Sequence, residues 1–508
     1  MLQPVLLELP FLLLLAPLLP LCFALVGNDR IGQWLLPVAA LPALVAAFVL
    51  PVGTSVALPW VLLGAQWGLD ATGQVFLLVT ALLWLLAGLY SVSGTPAGAS
   101  RWRFRVFFLL TLSGNVLLVI AQDMGSFFLG FALMGLAAYG LIAQQASVTT
   151  RRAGRIYLIW TVLGEVLLFA GAVFTASAVG SVYFSEVVGK ELPLAAVILV
   201  TLGLGIKVAL PGLHVWLPIA HGAAPPAVSA LLSGVMVKAG ILGLVRFLPA
   251  GAASTVWVAE WLVWLGLVGA FYGVVFGLRQ TAPKVILAYS TMSQLGVLIL
   301  VTGLVLQAPA DAALVMALLL YVAHHAWVKG ALFLGVGLFK QTLSWWLLGV
   351  LVVLALVLIG VPLTSGALAK GSVKAALPAD WQHLALGLWL SSLATTLLMG
   401  RFVWSLWRYR RQHGGASSHH TSTSPGLTQW LGWAILVEWV LWWPFLFALP
   451  AFKWWDVLPI LLGLGMVALA LLPRIPAGDV PVLLAHAGYR GWHWVRQSRS
   501  KHRHYLSN

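Results

Sequence analysis

Long apolar runs recur along the whole of this 508-residue chain, and they limit what it can fold into. A helix needs about 20 mostly apolar residues to cross a bilayer, and windows of that length give about fifteen candidate segments. Only 8% of the residues are charged, against about 25% in a soluble domain. The sequence therefore predicts an all-α membrane protein with about 14–15 transmembrane helices. The segments, numbered 1 to 15 below, lie near residues 5–26, 32–50, 69–92, 103–121, 124–143, 154–180, 193–212, 226–249, 255–278, 283–306, 309–338, 345–369, 383–406, 427–450 and 456–473.

Residue types that bind metals or cofactors are sparse. Cys22 is the one cysteine, lies in an apolar run and is predicted to be a small core residue. Iron–sulfur ligation takes about four cysteines per cluster, and the histidines have no zinc-site spacing. The sequence also has no phosphate-cradling loop of the P-loop type. We therefore expect no metal, no cofactor and no redox centre in this chain.

The distribution of charge predicts orientation. Basic residues cluster in short loops after odd-numbered segments, and loops after even-numbered segments hold acids. Because basic loops stay in the cytoplasm, the N-terminus is predicted outside and the C-terminus inside a bacterial inner membrane. This pattern accounts for the excess of basic residues without nucleic acid. The basic loop residues are Arg101, Arg103, Arg105, Arg151, Arg152, Arg155, Arg279, Lys284, Arg408, Arg410 and Arg411; the acids are Asp123, Glu186, Glu191, Asp311 and Asp456.

Several charged residues lie inside the apolar segments, where a charge costs a few kcal/mol. Such groups normally face the protein interior or a water-filled cavity, although snorkelling to the interface or a static ion pair is the alternative for each. For Glu438 such an alternative is favoured over a functional role, since no partner is evident in the sequence. The charged residues concerned are Lys207, Lys238, Lys329, Lys370, Glu165 and Glu438, and His324 and His325 lie one turn before Lys329.

Lysines in such positions suit proton movement. Burial disfavours the charged form of lysine, and a nearby acid restores it, so a lysine whose partner approaches and withdraws can take up and release a proton. Histidine titrates near neutrality and suits a relay between lysines. We therefore predict a proton path through Lys207, Lys238, His325, Lys329, Lys370 and Glu165, with His214, His221, His324 and Lys284 as a second set of candidates.

Two segments carry proline beside these lysines. Pro211 and Pro218 follow Lys207, and Pro362 precedes Lys370. Proline breaks a helix, and broken backbone at membrane depth is tolerated where it lines a wet cavity, although a simple packing kink is the alternative. Broken segments 7 and 12 in the two halves predict two inverted repeats. The predicted divisions are 1–100 (N-terminal helices), 101–250 (first repeat), 251–406 (second repeat), 407–475 (C-terminal helices) and 476–508 (basic cytoplasmic tail).

Four stretches carry a family resemblance. They are KVALPGLHVWLPIAH followed by SALLSGVMVK within 203–247, KVILAYSTMSQLG at 284–296, HHAWVKGALFLGVG at 324–337, and PLTSGALAK at 362–370. Together they resemble the antiporter-like subunits, which include the large pumping subunits of respiratory complex I, the large Mrp antiporter subunits and the large membrane subunit of hydrogenase-4 and formate hydrogenlyase. The wording around HVWLP is most similar to the hydrogenase-4 branch.

The resemblance implies a role for each lysine. Lys207 matches the seventh-helix lysine at the centre of the input half, and Lys238 matches an eighth-helix relay lysine. His325 and Lys329 match the eleventh-helix pair of the central axis. Lys370 matches the twelfth-helix lysine that acts as the output group in some members.

The chain departs from the family at its acids. The fifth-helix glutamate that pairs with the seventh-helix lysine aligns with Ala132, and two further acids align with Ala282 and Ile219. Glu165 in segment 6 is a candidate substitute as partner of Lys207, although it also resembles an acid found at that point in some members.

Three functions follow. The resemblance implies a proton-conducting subunit of a redox-driven complex of the NADH-quinone oxidoreductase or hydrogenase-4 type, with other membrane and peripheral subunits as partners. The second is a subunit passing protons or sodium ions to energise a non-redox partner, such as a bicarbonate-uptake complex. The third is a scaffold that has lost pumping along with the acids.

Overall fold

The computed structural model describes residues 10–27, 29–94, 99–145, 147–308, 311–414, 424–447 and 454–468. Within these residues, ten helices are long and apolar enough to cross a membrane. The chain is therefore an all-α, multi-pass membrane protein, as the sequence predicts. The predicted basic tail, 476–508, lies outside the described residues.

The helices follow the predicted segments in order. Segments 1 to 6 are Phe11–Ala24, Asp29–Val38 with Leu41–Val49, Ala71–Gly94, Ala99–Ile120, Met124–Ile142 and Val148–Val179. Segments 7 to 11 are Leu194–Lys207 with Trp216–Ala223, Pro226–Phe247, Ala253–Leu278, Pro283–Gln307 and Ala312–Thr342. Segments 12 to 15 are Trp345–Ile359 with Ser365–Ala375, Leu384–His413, Leu427–Trp442 and Trp454–Ala468.

Segments 7 and 12 are broken, as predicted. In segment 7 the helix stops at Lys207, and Ala209 takes the left-handed φ of +55° before helix resumes at Trp216. In segment 12 Gly360 has φ +98° and Leu363 has φ +66°. Helical hydrogen bonding cannot continue through such residues, so backbone carbonyls are released for other partners.

Each half of the chain contains a close contact between two neighbouring helices. A Cβ atom at Gly130 would lie 2.6 Å from the Leu118 nitrogen, joining segments 4 and 5. A Cβ atom at Gly266 would lie 2.5 Å from the Gly296 carbonyl oxygen, joining segments 9 and 10 in the same way. Small residues allow helices in a membrane to approach this closely. These contacts and the paired breaks agree with the inverted repeats, while the repeat boundaries stay a prediction.

The interior of the molecule lies at segments 8 and 10. In Pro226–Phe247 and in Pro283–Gln307, 94% of the apolar stretch is buried, against 39% in Val148–Val179. Segments 8 and 10 are thus surrounded by protein, whereas segment 6 has a largely exposed face. Lys238 and Arg246 on segment 8 are consequently held inside the protein.

Two features differ from the sequence-based expectation. Ser55–Leu58 and Ala65–Gly68 form an antiparallel hairpin, with Ser55 opposite Gly68, that helical periodicity did not reveal. Cys22 was predicted to be a core residue, and this prediction is wrong, because its side chain is exposed. Cys22 lies on a helix at the edge of the bundle, where an apolar run does not distinguish a lipid-facing side from a buried one.

The loops after the even-numbered segments meet at one end of the molecule. The hairpin pairs through Trp67 with Ala121, and Asp123 pairs with Tyr183. The buried Asp123 carboxylate accepts hydrogen bonds from the Gln66 nitrogen at 2.9 Å and the Ser126 nitrogen at 2.7 Å. Its position at the start of segment 5 makes Asp123 a helix cap, which is a structural role.

Candidate functional site

Lys207 lies in an aromatic pocket at the end of the first half of segment 7. Its side chain is 4% exposed. The Nζ atom is 5.0 Å from the centre of the Phe131 ring and 5.8 Å from that of Tyr157, close enough for cation–π attraction. Among the described residues this nitrogen has no hydrogen-bond partner. An amine held this way is free to change its protonation state without breaking a hydrogen bond.

Glu165 approaches the same pocket from segment 6 and is 7% exposed. Its carboxylate lies within charge-interaction range of Lys207, yet Oε1 has no hydrogen-bond partner in the described part of the chain. Gly135 of segment 5 lies between the two groups. A Cβ atom at Gly135 would be 2.5 Å from the Glu165 Oε1 and 3.5 Å from the Lys207 Nζ. The acid and the amine are thus neighbours across a gap that a glycine leaves open.

Close helix packing sets this geometry. A Cβ atom at Gly203 would lie 2.8 Å from the Gly164 carbonyl oxygen, so segments 6 and 7 touch through glycine one residue before Glu165. The Tyr157 hydroxyl donates to the Gly135 carbonyl at 3.0 Å and fixes segment 6 against segment 5. These contacts bring the acid to the level of the lysine.

Lys238 follows an irregular turn in segment 8. Leu232–Met236 is π-helical, a widened turn found frequently at functional sites. The Lys238 Nζ donates to the Ser233 carbonyl inside this turn. The Ser233 hydroxyl, in turn, is 2.7 Å from the Thr291 hydroxyl of segment 10. The 1% exposed Lys238 is therefore joined to segment 10 through a single residue.

Lys329 completes this link from segment 11. Its Nζ donates to the Ser290 hydroxyl at 2.7 Å and to the Leu287 carbonyl at 3.0 Å. The Thr291 hydroxyl donates to the same Leu287 carbonyl at 2.9 Å. Lys238 and Lys329 thus share one hydrogen-bonded network, and Lys329 is fully buried.

Two fully buried histidines lie beside this network. Neither ring nitrogen of His221 or His325 has a hydrogen-bond partner within the described residues. His221 stacks on Phe333 with ring centres 4.7 Å apart. Both rings lie within charge-interaction range of Lys238 and Lys329. The two imidazoles therefore lie near both lysines, His325 from the first set of candidates and His221 from the second.

The row of polar groups continues to segment 12. The His324 Nδ1 is 2.9 Å from the Ser365 hydroxyl, at the start of the second half of that segment. The Lys370 Nζ donates to the Ile359 carbonyl at 2.7 Å and lies 3.4 Å from the Ser392 hydroxyl. Lys370 therefore binds a carbonyl that the helix break has released.

A surface ion pair lies beyond Lys370. Lys374, one turn further on, binds Asp456 of segment 15 at 2.6 Å. The side chains of this pair are 23% and 44% exposed, so this end of the row opens towards the surface.

The two remaining candidates lie at the edge of the row. Lys284 is half-buried, and its Nζ donates to the Ala224 carbonyl at 2.5 Å, which closes the end of the second half of segment 7. His214 lies in the break of segment 7, 6% exposed, with its ring 5.0 Å from that of Tyr272. Neither forms a hydrogen bond to the central network in the part of the chain that the structure describes.

Comparisons with known proteins identify the family of this chain. The family described as "NADH:quinone oxidoreductase/Mrp antiporter, TM" matches residues 121–398. This chain belongs to that family. It is an antiporter-like membrane subunit of the complex I, Mrp and hydrogenase-4 type, as the sequence motifs indicate.

Curated relatives are drawn from several branches. The chain is 30% identical over 288 residues to hydrogenase-4 component B of Escherichia coli (strain K12), covering 53% of this chain and 42% of the relative. It is 32% identical over 316 residues to NADH-quinone oxidoreductase subunit N of Deinococcus radiodurans, covering 56% of this chain and 63% of the relative. It is 30% identical over 349 residues to the probable inorganic carbon transporter subunit DabB1 of Halothiobacillus neapolitanus, covering 65% and 60%. The chain spans less than two thirds of each of these relatives.

Solved structures share the fold. A chain of the Mrp complex from Dietzia sp. DQ12-45-1b has a TM-score of 0.80 at 22% identity, covering 97% of this chain and 60% of that one. A chain of an archaeal membrane-bound sulfane sulfur reductase has a TM-score of 0.69 at 17% identity, covering 94% of this chain and 98% of that one. The first of these chains is part of an Mrp complex, and the second is part of an archaeal respiratory membrane complex.

Several site residues escaped the sequence analysis. Ser233, Thr291 and Ser365 hold the titratable groups, yet hydroxyls in apolar helices carry no signal of their own, because they can bond within the helix. Arg246 was also missed: its guanidinium binds Asp70 at 3.1 Å, and the arginine looks like an ordinary helix-end cation. Glu438 is exposed and accepts a hydrogen bond from Trp442 at 2.9 Å, away from the row.

Proposed function

We propose that this antiporter-like subunit conducts protons across a bacterial inner membrane as part of a redox-driven, multi-subunit complex. The observation that carries the proposal is the buried row from Lys207 through Lys238 and Lys329 to Lys370, in which three of the four lysines are at most 4% exposed. Charged groups this deep are costly unless they serve a path or a pair. Other subunits would hold the redox chemistry and supply the energy.

The input end rests on Glu165 and Lys207. When the carboxylate lies near the amine, the charged ammonium is stabilised. When it withdraws, the aromatic pocket favours the neutral amine and the proton leaves. Lys238 is the next lysine along the chain, on the most buried pair of helices.

The centre and the output end follow the hydrogen bonds. The Ser233 and Thr291 hydroxyls bond to each other, and the carbonyls of Ser233 and Leu287 accept from Lys238 and Lys329, so this network fixes the positions of the two lysines. The imidazoles of His221 and His325 provide titratable stations beside the same lysines. Lys370 and the Lys374–Asp456 pair then form the route to the surface.

Orientation follows from the charge of the loops. We place the hairpin end outside and the arginine-rich end in the cytoplasm, because basic loops are retained inside. In this orientation the Lys374–Asp456 pair faces the outer side of the membrane.

The decisive experiment replaces Lys207. In the assembled complex reconstituted in vesicles, Lys207→Ala is expected to reduce proton transport, read with a pH-sensitive dye, at least tenfold, since a relay step is lost. Subunit assembly is expected to be retained, and Lys190→Ala, which alters an exposed loop lysine, serves as the matched control.

Full transport in both Lys207→Ala and Lys329→Ala would contradict the proposal and favour a scaffold. The two substitutions remove buried amines at different points of the row, so retention of transport in both leaves no lysine relay.

A second function is favoured by one comparison. The relative named as an inorganic carbon transporter subunit covers 65% of this chain, more than the other relatives described above. In that case the subunit would pass protons or sodium ions to energise a non-redox partner. Ion movement or inorganic carbon uptake that persists in the purified complex without any electron donor would select this function.

A further inference from the structure

An apolar groove lies on the surface of the helix bundle, between segments 12, 13 and 15 and apart from the lysine row. Its volume is about 420 Å³. Segment 12 lines it from Leu348 to Ile359, a length of about 16 Å at 1.5 Å per residue. The full lining is Leu348, Val352, Ala355, Leu356, Ile359, Thr396, Met399, Gly400, Val403, Trp404, Trp407, Leu464 and Val467.

One end of the groove is cationic. The Arg408 guanidinium lies 5.4 Å from the centre of the Trp404 ring, and that of Arg411 lies 4.2 Å from the centre of the Trp407 ring. Both tryptophans line the groove, and both arginines are exposed. Arg401, which is buried and donates to the Gln280 carbonyl at 3.0 Å, packs on Trp404 from 5.1 Å. The aromatic floor is therefore supported from within the protein.

The shape and charge together identify an occupant. A helix with its side chains is about 10 Å across. An acyl chain is far thinner, and it suits a long apolar slot. Arginine presents a planar fork that fits a phosphate. Tryptophan and arginine at a membrane interface are also the residues that contact lipid headgroups.

We propose that this groove binds an anionic phospholipid, with an acyl chain along segments 12 and 13 and the phosphate on Arg408 and Arg411. The groove is on the surface of the bundle formed by segments 12 and 13, which also carry Lys370 and Ser392. A bound lipid therefore packs against the output half of the molecule without contacting the lysines themselves.

The test uses the full-length protein, delipidated in detergent. Phosphatidylglycerol and phosphatidylcholine with identical acyl chains are titrated separately, and bound lipid is counted by native mass spectrometry. We expect phosphatidylglycerol to bind with higher affinity. In Arg408→Gln/Arg411→Gln this preference is expected to fall roughly 25-fold, because each basic residue near the headgroup contributes about a factor of five. Arg151→Gln/Arg155→Gln removes two exposed charges elsewhere and is expected to bind as the unmodified protein does.

The acyl slot is tested separately. Val352→Trp fills the groove and is expected to weaken both lipids, whereas Val353→Trp alters the adjacent exposed position outside the lining and is expected to leave binding unchanged. Equal affinity for the two lipids in the unmodified protein would overturn the proposal. Equal effects of the two tryptophan substitutions would overturn it as well. Competition by soluble glycerol phosphate at matching concentration would show an ion site without an acyl slot.

Discussion

At the scale of single residues, the question is how Lys207 keeps an acidic partner. The resemblance matches that acid to Ala132, which is half-buried, while Phe131 and Gly135 of the same helix contact the pocket. The carboxylate comes instead from Glu165 on the neighbouring helix. A side chain at position 135 would occupy the space that this carboxylate uses. Glu165 can therefore approach Lys207 only because position 135 is a glycine.

Gly135→Ala is therefore expected to impair transport by displacing Glu165. The added methyl group would lie 2.5 Å from the Glu165 Oε1, far inside van der Waals contact. Loss of the acid beside Lys207 is expected to lower the transport rate about tenfold, as for other relay groups, and overpacking of this kind also lowers the stability by about 1–3 kcal/mol. Proton uptake in reconstituted vesicles measures the loss.

A second substitution separates displacement from misfolding. Glu165→Asp shortens the acid by one methylene and is expected to lower transport when Gly135 is present, but to restore part of it in the Gly135→Ala background. Gly349→Ala is the matched helical control, since its Cβ would have no heavy atom within 4 Å among the described residues. If the losses of transport in the two single variants simply add in the double variant, Gly135 does not act through the position of Glu165.

At the scale of helices, irregular turns place the site. The π-helical turn Leu232–Met236 gives Lys238 a carbonyl to bind, and the break of segment 12 gives Lys370 another. A regular helix would have used both carbonyls in its own hydrogen bonds. The irregular turns thus hold buried amines by backbone contacts, without a carboxylate beside each.

The link between segments 8 and 10 can be cut without removing a charge. Ser233→Ala deletes the hydroxyl that lies 2.7 Å from Thr291, while the carbonyl that binds Lys238 stays. Transport is expected to fall several-fold, and thermal stability to change by about 1 kcal/mol, the usual net value of one hydrogen bond. Stopped-flow proton uptake and a thermal melt are the two measurements.

Ser372→Ala is the control for that change. Its hydroxyl bonds within its own helix, to the Leu368 carbonyl at 2.8 Å. Equal transport in the two variants would mean that the Ser233 hydroxyl takes no part in conduction.

The sequence predicted the helices well and the contacts between them less well. Apolar length located the segments, and Pro211 and Pro362 marked the two breaks correctly, because both signals are local. The approach of Glu165 to Gly135, and the sharing of Leu287 by two donors, depend on packing between distant parts of the chain. Periodicity and motif reading carry no information on such distances. The hairpin was missed because its strands are short and lie outside the apolar segments.

At the scale of the whole molecule, Arg246 joins the N-terminal helices to the first half of the site. Its guanidinium binds Asp70 at 3.1 Å, the Leu118 carbonyl at 3.1 Å and the Ala121 carbonyl at 2.6 Å. These three partners lie on segment 4 and on the loops at the hairpin end. One side chain therefore holds segment 8 at a fixed height relative to its neighbours.

Arg246→Ala is expected to lower the free energy of unfolding by about 2 kcal/mol, because two buried carbonyls lose a charged donor. Asp70→Asn is expected to cost less, since this side chain is 46% exposed and water can replace the lost contact. Thermal melts of the purified protein in detergent compare the two variants. A larger effect for Asp70→Asn would show that the ion pair, and not the carbonyl contacts, fixes segment 8.

The proposed orientation makes a prediction for which this chain is well suited, because Cys22 is its one cysteine. In a Cys22→Ser background, Lys190→Cys lies beside the loop that pairs with the hairpin end, and Arg155→Cys lies near the arginine-rich end. A membrane-impermeant maleimide applied to intact spheroplasts is expected to label the first variant and not the second, and lysis is expected to expose both. Labelling of Arg155→Cys alone would show that the chain has the opposite orientation in the membrane. The Lys374–Asp456 end would then face the cytoplasm, and the row that we describe as running from Lys207 outward would have to run inward.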